Sequence, residues 1–530
     1  MKINKKIFYT VFLLFTFLLF FKTDFRFETS VNCCGDDHDY YMHSETIALD
    51  RDLNYSNQLK GNEDKRFSFN GKIAPTGFIG SGIFSAPFTF LGNLIDNILE
   101  NTSSKSSKIL NFRILFYSLS SITYFFGSVF LTKKAFDILN YKINVFQILL
   151  IYFGSGVSYF AFERFSMSHV YEVFSTTLLI YLCVYFYNNK ESNFIALLIP
   201  ISLFLGISVR WVNYFLFFIP IICKNFSNKS MYAKNTLIKN YYFILAYFSS
   251  IFLFFWHTNK LYGKTTFNPE FVYQTSNQIN NFINSSSGIT SFLYGNLINI
   301  FKIFFSQEFG IFWFSPAIFL SVVFLLLIFF DKKFLSFRIK FVLVLCYSQV
   351  FAIVLLWKST ASSYGFRYLY CLLPLSLLII YGYQNKKNNN FLKFYLIGFS
   401  LFASISVLFF ETTPMTQLST IEITNSFGRT LKYSQPLYLS GVVQSFIILD
   451  SYLKIFTTSF LGAAIFKILF NTFGKENIVI TLENLGLPIN NNDFIDYTLE
   501  LEMINISKFL LVIIYFSIFS YYLVKNYEQR

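Results

Sequence analysis

The feature that most constrains this chain is a series of apolar stretches, each near 20 residues, recurring along almost its whole length. A hydrocarbon layer of ~30 Å takes ~20 apolar residues per helix, and backbone in lipid must satisfy its own polar groups, so such runs admit little besides membrane helices. Of 530 residues, 54% are apolar and only 14% charged, with 74 Phe and 36 Tyr. A water-soluble core of this size has no need of runs that keep reaching span length. The expected fold is therefore an all-α polytopic membrane protein with about twelve transmembrane helices, within about 11–13. The expected crossings are 7–21, 109–132, 144–162, 171–188, 194–209, 212–223, 240–256, 312–330, 341–357, 368–383, 391–410 and 507–524, of which 212–223 is short for a full span.

A net charge of +14 would draw attention to nucleic acid, but its distribution argues against that partner. Lys and Arg collect in short connectors: Lys5 and Lys6, Lys133 and Lys134, Lys190, 224–239, 331–340, and Lys386 with Lys387. That is the bias that fixes membrane orientation. Placing those connectors inside puts both termini in the cytoplasm and leaves 22–107, 257–311 and 411–506 outside. The first span has a basic start but no small-residue cleavage site after it, so it reads as uncleaved. Cys183, Cys223, Cys346 and Cys371 lie in or beside apolar runs, and Cys33 and Cys34 are adjacent, so no disulfide framework is expected.

Three regions follow. Residues 1–410 form the membrane core with its long first outer loop, 22–107, in which 78–99 is amphipathic and suits a helix lying on the membrane surface. Residues 411–506 are expected to form a small extracytoplasmic α+β insertion. Within it 478–483 reads as a strand before the turn-rich 487–493, and 455–470 reads as a surface helix. Residues 507–530 are the last helix and a cytoplasmic tail.

The chemistry-bearing segment is Gly35-Asp36-Asp37-His38-Asp39-Tyr40-Tyr41, soon after the first span. Acids held against a membrane are costly, which makes a functional site the default against a merely solvated acidic loop. A carboxylate there can serve as a base, a metal ligand or a partner for a cationic transition state. His38 and His43 with Asp36 and Asp39 are candidates for a divalent metal, although their spacing matches no standard structural site. Glu172 opens a helix and reads as an acid complementing the N-terminal dipole. His169, at the preceding turn, reads as either a substrate contact or a cap.

With these residues in place, the chain resembles the C-type (GT-C) glycosyltransferase superfamily, the membrane enzymes that use polyprenyl-phosphate sugars, such as protein mannosyltransferases and aminoarabinose transferases. Asp36, Asp37 and Tyr40 match the family opening of paired acids and an aromatic. Leu49-Asp50-Arg51-Asp52-Leu53 is similar to its "dGDL" phrase, with Arg51 in the place of glycine. Lys72 stands where a basic residue helps hold the lipid phosphate, and the prolines that follow there are represented by Pro75 alone. Segments 165–171, 208–213, 306–316 and 364–368 resemble later family turns, the last as "G-x-R-Y". The likeness spans roughly 7–383.

The resemblance implies a polyprenyl-phosphate-linked sugar donor, a glycan, lipid or protein acceptor, and a site on the extracytoplasmic side of a bacterial plasma membrane. It implies Asp36 as base with Asp37 second, and substrate contacts from Tyr40 and His169. The chemistry is consistent with this. An acceptor hydroxyl needs a base within hydrogen-bond reach, and a phosphate leaving group needs cations, for which Lys72, Arg210 and Arg367 are the candidates. Two other classes stay open: a secondary transporter or flippase of envelope precursors, and a noncatalytic envelope-assembly protein on the same fold. A transporter would be expected to carry its acids inside spans of repeated halves, and no repeat is visible.

Overall fold

The computed structural model describes residues 35–59, 68–102 (without 70 and 76), 112–188, 192–227, 237, 240–267, 300–306, 310–357, 365–384, 390–409, 420–424, 430–434, 460–484 and single positions from 511 to 521. The expected span at 7–21, and most of the expected span at 507–524 and of the 257–311 segment, lie outside the described residues.

Helices dominate. α1 spans Gly35–Glu45 and runs into a π-turn over Thr46–Asp50, which Arg51 closes in the left-handed region at φ 59. A two-stranded hairpin follows, β1 (Ser68–Phe69) with β2 (Lys72–Ile73), then α2 (Gly80–Thr102) and α3 (Phe112–Ile138). The amphipathic segment expected at 78–99 is thus helical, although its start is wedged among other helices. A Cβ on Gly82 would lie 2.5 Å from the Cβ of His43 and one on Gly80 would lie 2.4 Å from the backbone of Ser208, so neither position accepts a side chain. Ser44 and Thr89 hydroxyls hydrogen-bond at 2.8 Å across the α1–α2 contact.

Among the described residues, three helices are long and apolar enough to cross a membrane: α3, α6 (His169–Asn188) and α9 (Tyr241–Tyr262). Shorter apolar helices accompany them, including α7 (Asn193–Val209) and the pair formed by a 3₁₀ segment, Trp211–Phe218, and α8 (Ile219–Phe226). Three runs expected as single crossings are interrupted. Residues 144–162 form α4 (Val145–Phe153) and α5 (Val157–Phe162). The apolar count is continuous there, but Gly154 abuts the backbone of Ser400 and Gly156 turns the chain at φ 78. Residues 312–330 split at Ser315 into α10 (Ile311–Phe314) and α11 (Pro316–Phe330), Pro316 opening the second helix where its missing N–H costs nothing. After α12 (Phe337–Trp357), residues 368–383 begin as a 3₁₀ turn, Arg367–Leu372, before α13 (Leu373–Gln384). α14 covers Asn390–Phe409.

Beyond α14, the hairpin β3 (Thr420–Thr424) with β4 (Thr430–Ser434) precedes α15 (Phe460–Phe473) and α16 (Lys475–Asn484). The strand expected at 478–483 is therefore helix. Its β-branched run reads as strand, yet Ile478, Val479 and Leu482 pack against the main core while Ile480 is exposed, which is helical spacing. The helix expected within 455–470 is α15, and its Phe466 and Phe470 enter the same core as the membrane helices.

Arg51 carries a prediction. A side-chain-bearing residue at positive φ costs ~1–2 kcal/mol and glycine returns part of that as backbone entropy, so Arg51→Gly should stabilise by about 0.5–1 kcal/mol. A raised thermal midpoint in detergent checks this, and a lowered one would show that the Arg51 side chain makes contacts worth more than the strain.

Candidate functional site

The acidic segment is a helix, not a loop, and the helical period sorts its residues. Asp37, Asp39, Tyr40, His43 and Ser44 turn inward, while Asp36 and His38 face out. Asp37 is fully buried. Arg164, between α5 and α6, reaches it from Nη2 at 2.7 Å and from Nε at 3.2 Å, and Ser166 donates to its other oxygen. Burial works against the Arg164 charge, but the Asp37 carboxylate outweighs it and raises the Arg164 pKa above the usual value. The Asp37 carboxylate is thus engaged on both oxygens, and its evident work is to fasten α1 to the turn before α6.

His43 is equally engaged. Gly77 O can only accept, so His43 Nε2 donates to it at 2.8 Å, and Nδ1 accepts from the Tyr55 hydroxyl at 2.6 Å. Burial pulls its pKa down from 6.5 to about 4, so the ring is neutral at physiological pH. With both nitrogens used, His43 cannot join His38, Asp36 and Asp39 around a cation. Among the described residues no group of three or more His, Cys, Asp or Glu side chains is placed to hold a metal.

The remaining predicted groups, with one exception, meet in a closed circuit. Asp36, its side chain 53% exposed, lies 4.0 Å from Arg367 Nη2. Arg367 is buried and donates from Nη2 to the Tyr368 hydroxyl at 3.2 Å. The face of Tyr368 carries Arg210, whose guanidinium carbon is 4.3 Å from the ring centre. Arg210 Nη1 donates to Glu172 Oε1 at 3.2 Å and lies 3.3 Å from His169 Nδ1. Ser168 also donates to Glu172 Oε1, at 3.0 Å, and shares a hydrogen bond with Tyr40. Tyr40 returns the circuit to α1, one helical turn from Asp36. Burial drives the Tyr40 phenol far above its ordinary pKa, with Arg210 opposing and Asp36 reinforcing the shift, so it stays protonated.

Four elements hold this circuit: α1, the first turn of α6, the end of α7 and the 3₁₀ turn 367–372. The last is pinned by Gly365, at φ 56, where a Cβ would lie 2.6 Å from the Tyr370 hydroxyl. The exception is Lys72. It is exposed on β2 and is not one of the groups that close the circuit. Its short separation along the chain from α2 says nothing about which way a hairpin faces.

Glu172 and Tyr368 are circuit members, and Arg164 the partner of Asp37, that sequence reasoning did not place in these roles. Glu172 does sit in the first turn of its helix as the dipole argument has it, but it also pairs with Arg210 in the buried interior. The signal was available: an acid one turn inside an apolar span is an intramembrane charge in search of a partner. Tyr368 adjoins Arg367 in the "G-x-R-Y" phrase, and its role needed the structure to bring Arg210 onto its face. The result is one surface-accessible carboxylate beside two guanidiniums, one fixed by a sealed carboxylate and both sharing one aromatic ring. Such a set can accept a proton at Asp36 and compensate an anion at the arginines. No protein-family model, curated protein or solved structure matches this chain.

Proposed function

We propose that this protein is an integral-membrane glycosyltransferase that moves one sugar from a polyprenyl-phosphate carrier to an envelope glycan, lipid or protein acceptor. Its site faces the extracytoplasmic side of a bacterial plasma membrane, in a core of about twelve spans, the sidedness following from the Lys and Arg bias of the connectors. The observation that carries this reading is the 4.0 Å approach of half-exposed Asp36 to buried Arg367, within a circuit that also holds Arg210. Inverting transfer from a lipid phosphate asks for one base and for cations on the departing phosphate, and no second acid is needed because the phosphate leaves without a proton. Support of a second kind comes from Arg51, which takes glycine's place in the "dGDL"-like phrase and adopts a conformation that favours glycine.

Mass spectrometry of envelope glycans, lipids and proteins from cells with and without the gene tests the reading. The expected result is one acceptor lacking a single sugar, with that acceptor already outside. Complete lipid-linked precursors accumulating on the cytoplasmic side would instead point to a flippase, and an unchanged envelope would remove the transferase reading.

A further inference from the structure

Arg210 and Arg367 are like charges that share one aromatic ring, and such a pair persists only where something compensates each. The two compensations differ. Glu172 is fully buried beside Arg210, at 3.2 Å, with Ser168 donating to the same oxygen. Asp36 is half-exposed and stands off Arg367 at 4.0 Å. An arriving anion can therefore compete with Asp36 for Arg367, whereas Glu172 is sealed in and stays on Arg210. Between them Tyr368 presents its face to Arg210 and its hydroxyl to Arg367, fixing the spacing of the two guanidiniums. The other oxygen of Glu172 and Nε2 of His169 are buried without hydrogen-bond partners among the described residues. Glu172 is thus a buried carboxylate whose single partnered oxygen is shared by Ser168 and Arg210, and Arg210 is the full cation that balances its charge.

We propose that Glu172 and Tyr368 are positioning residues that hold Arg210 beside Arg367, so that the two guanidiniums together receive one phosphoryl-bearing anion entering from the Asp36 side. This rests on the lipid-phosphate reading above and goes beyond it, since neither residue need touch the ligand.

The test compares binding of farnesyl phosphate and farnesol to the full-length protein in detergent micelles. The wild type should prefer the phosphate. Glu172→Gln should weaken farnesyl phosphate binding by roughly tenfold or more with farnesol binding unchanged, and Glu172→Asp should recover part of the loss. Because removing one partner of a buried pair can prevent folding, Tyr368→Leu is measured alongside, as it takes away the shared ring without unpairing a charge. It should also lower the phosphate preference. Folded Glu172→Gln and Tyr368→Leu proteins that keep the wild-type preference would overturn the positioning role alone. A wild type that binds phosphate and alcohol equally would overturn the lipid-phosphate reading, and this inference with it.

Discussion

On the transferase reading proposed above, Asp36→Asn should lower the rate of sugar transfer by ~10²–10⁴-fold, the usual loss when a general base is removed. The carboxamide keeps the shape of the side chain and can still hydrogen-bond, but it cannot take the acceptor's proton. Folding should be nearly untouched, because Asp36 is half-exposed and its ion pair is long at 4.0 Å. The measurement is single-turnover transfer by purified protein whose accumulation and melting match the wild type. An Asp36→Asn protein that keeps most of its turnover would take the base away from this position.

The second large effect is on stability. Arg164→Met removes the partner of a fully buried carboxylate and should destabilise by ~3–5 kcal/mol, the cost of leaving such a charge uncompensated. Adding Asp37→Asn to that variant removes the stranded charge and should restore a good part of the loss. Thermal unfolding of both variants in detergent reads the difference. A single variant as stable as the wild type would mean that the pair does not fasten α1, and Asp37 would return as a rival to Asp36 for the base.

The sequence made the apolar helices legible because burial in lipid and burial in protein ask for the same residues. It could not show where those helices break. The run 144–162 is apolar on both sides of Gly154-Ser155-Gly156, and the approach of Ser400 with the positive φ of Gly156 explains the interruption. The run 478–483 failed for a related reason. β-branched residues favour strands on average, yet the choice there was made by the helical spacing at which Ile478, Val479 and Leu482 met the core. In the site, Asp36, Tyr40, His169, Arg210 and Arg367 were legible as chemistry, and the structure brings all five into one circuit. Lys72 was placed by its position along the chain, and its side chain is exposed on the hairpin. The partners of Glu172 and Arg164 stayed hidden because they are 38 and 127 residues away along the chain.

One modest contact in the scaffold has a practical side. Asp96, on α2, accepts the backbone N–H of Phe112 at 2.9 Å and that of Arg113 at 3.1 Å, so the end of one helix is stapled to the start of the next. The nine positions from 103 to 111 thus join two points whose separation is already set. Lengthening such a connection costs only ~0.6 kcal/mol per doubling, since closure entropy grows with the logarithm of length. This makes 103–111 a tolerant place to lengthen the chain with an epitope or a fluorophore.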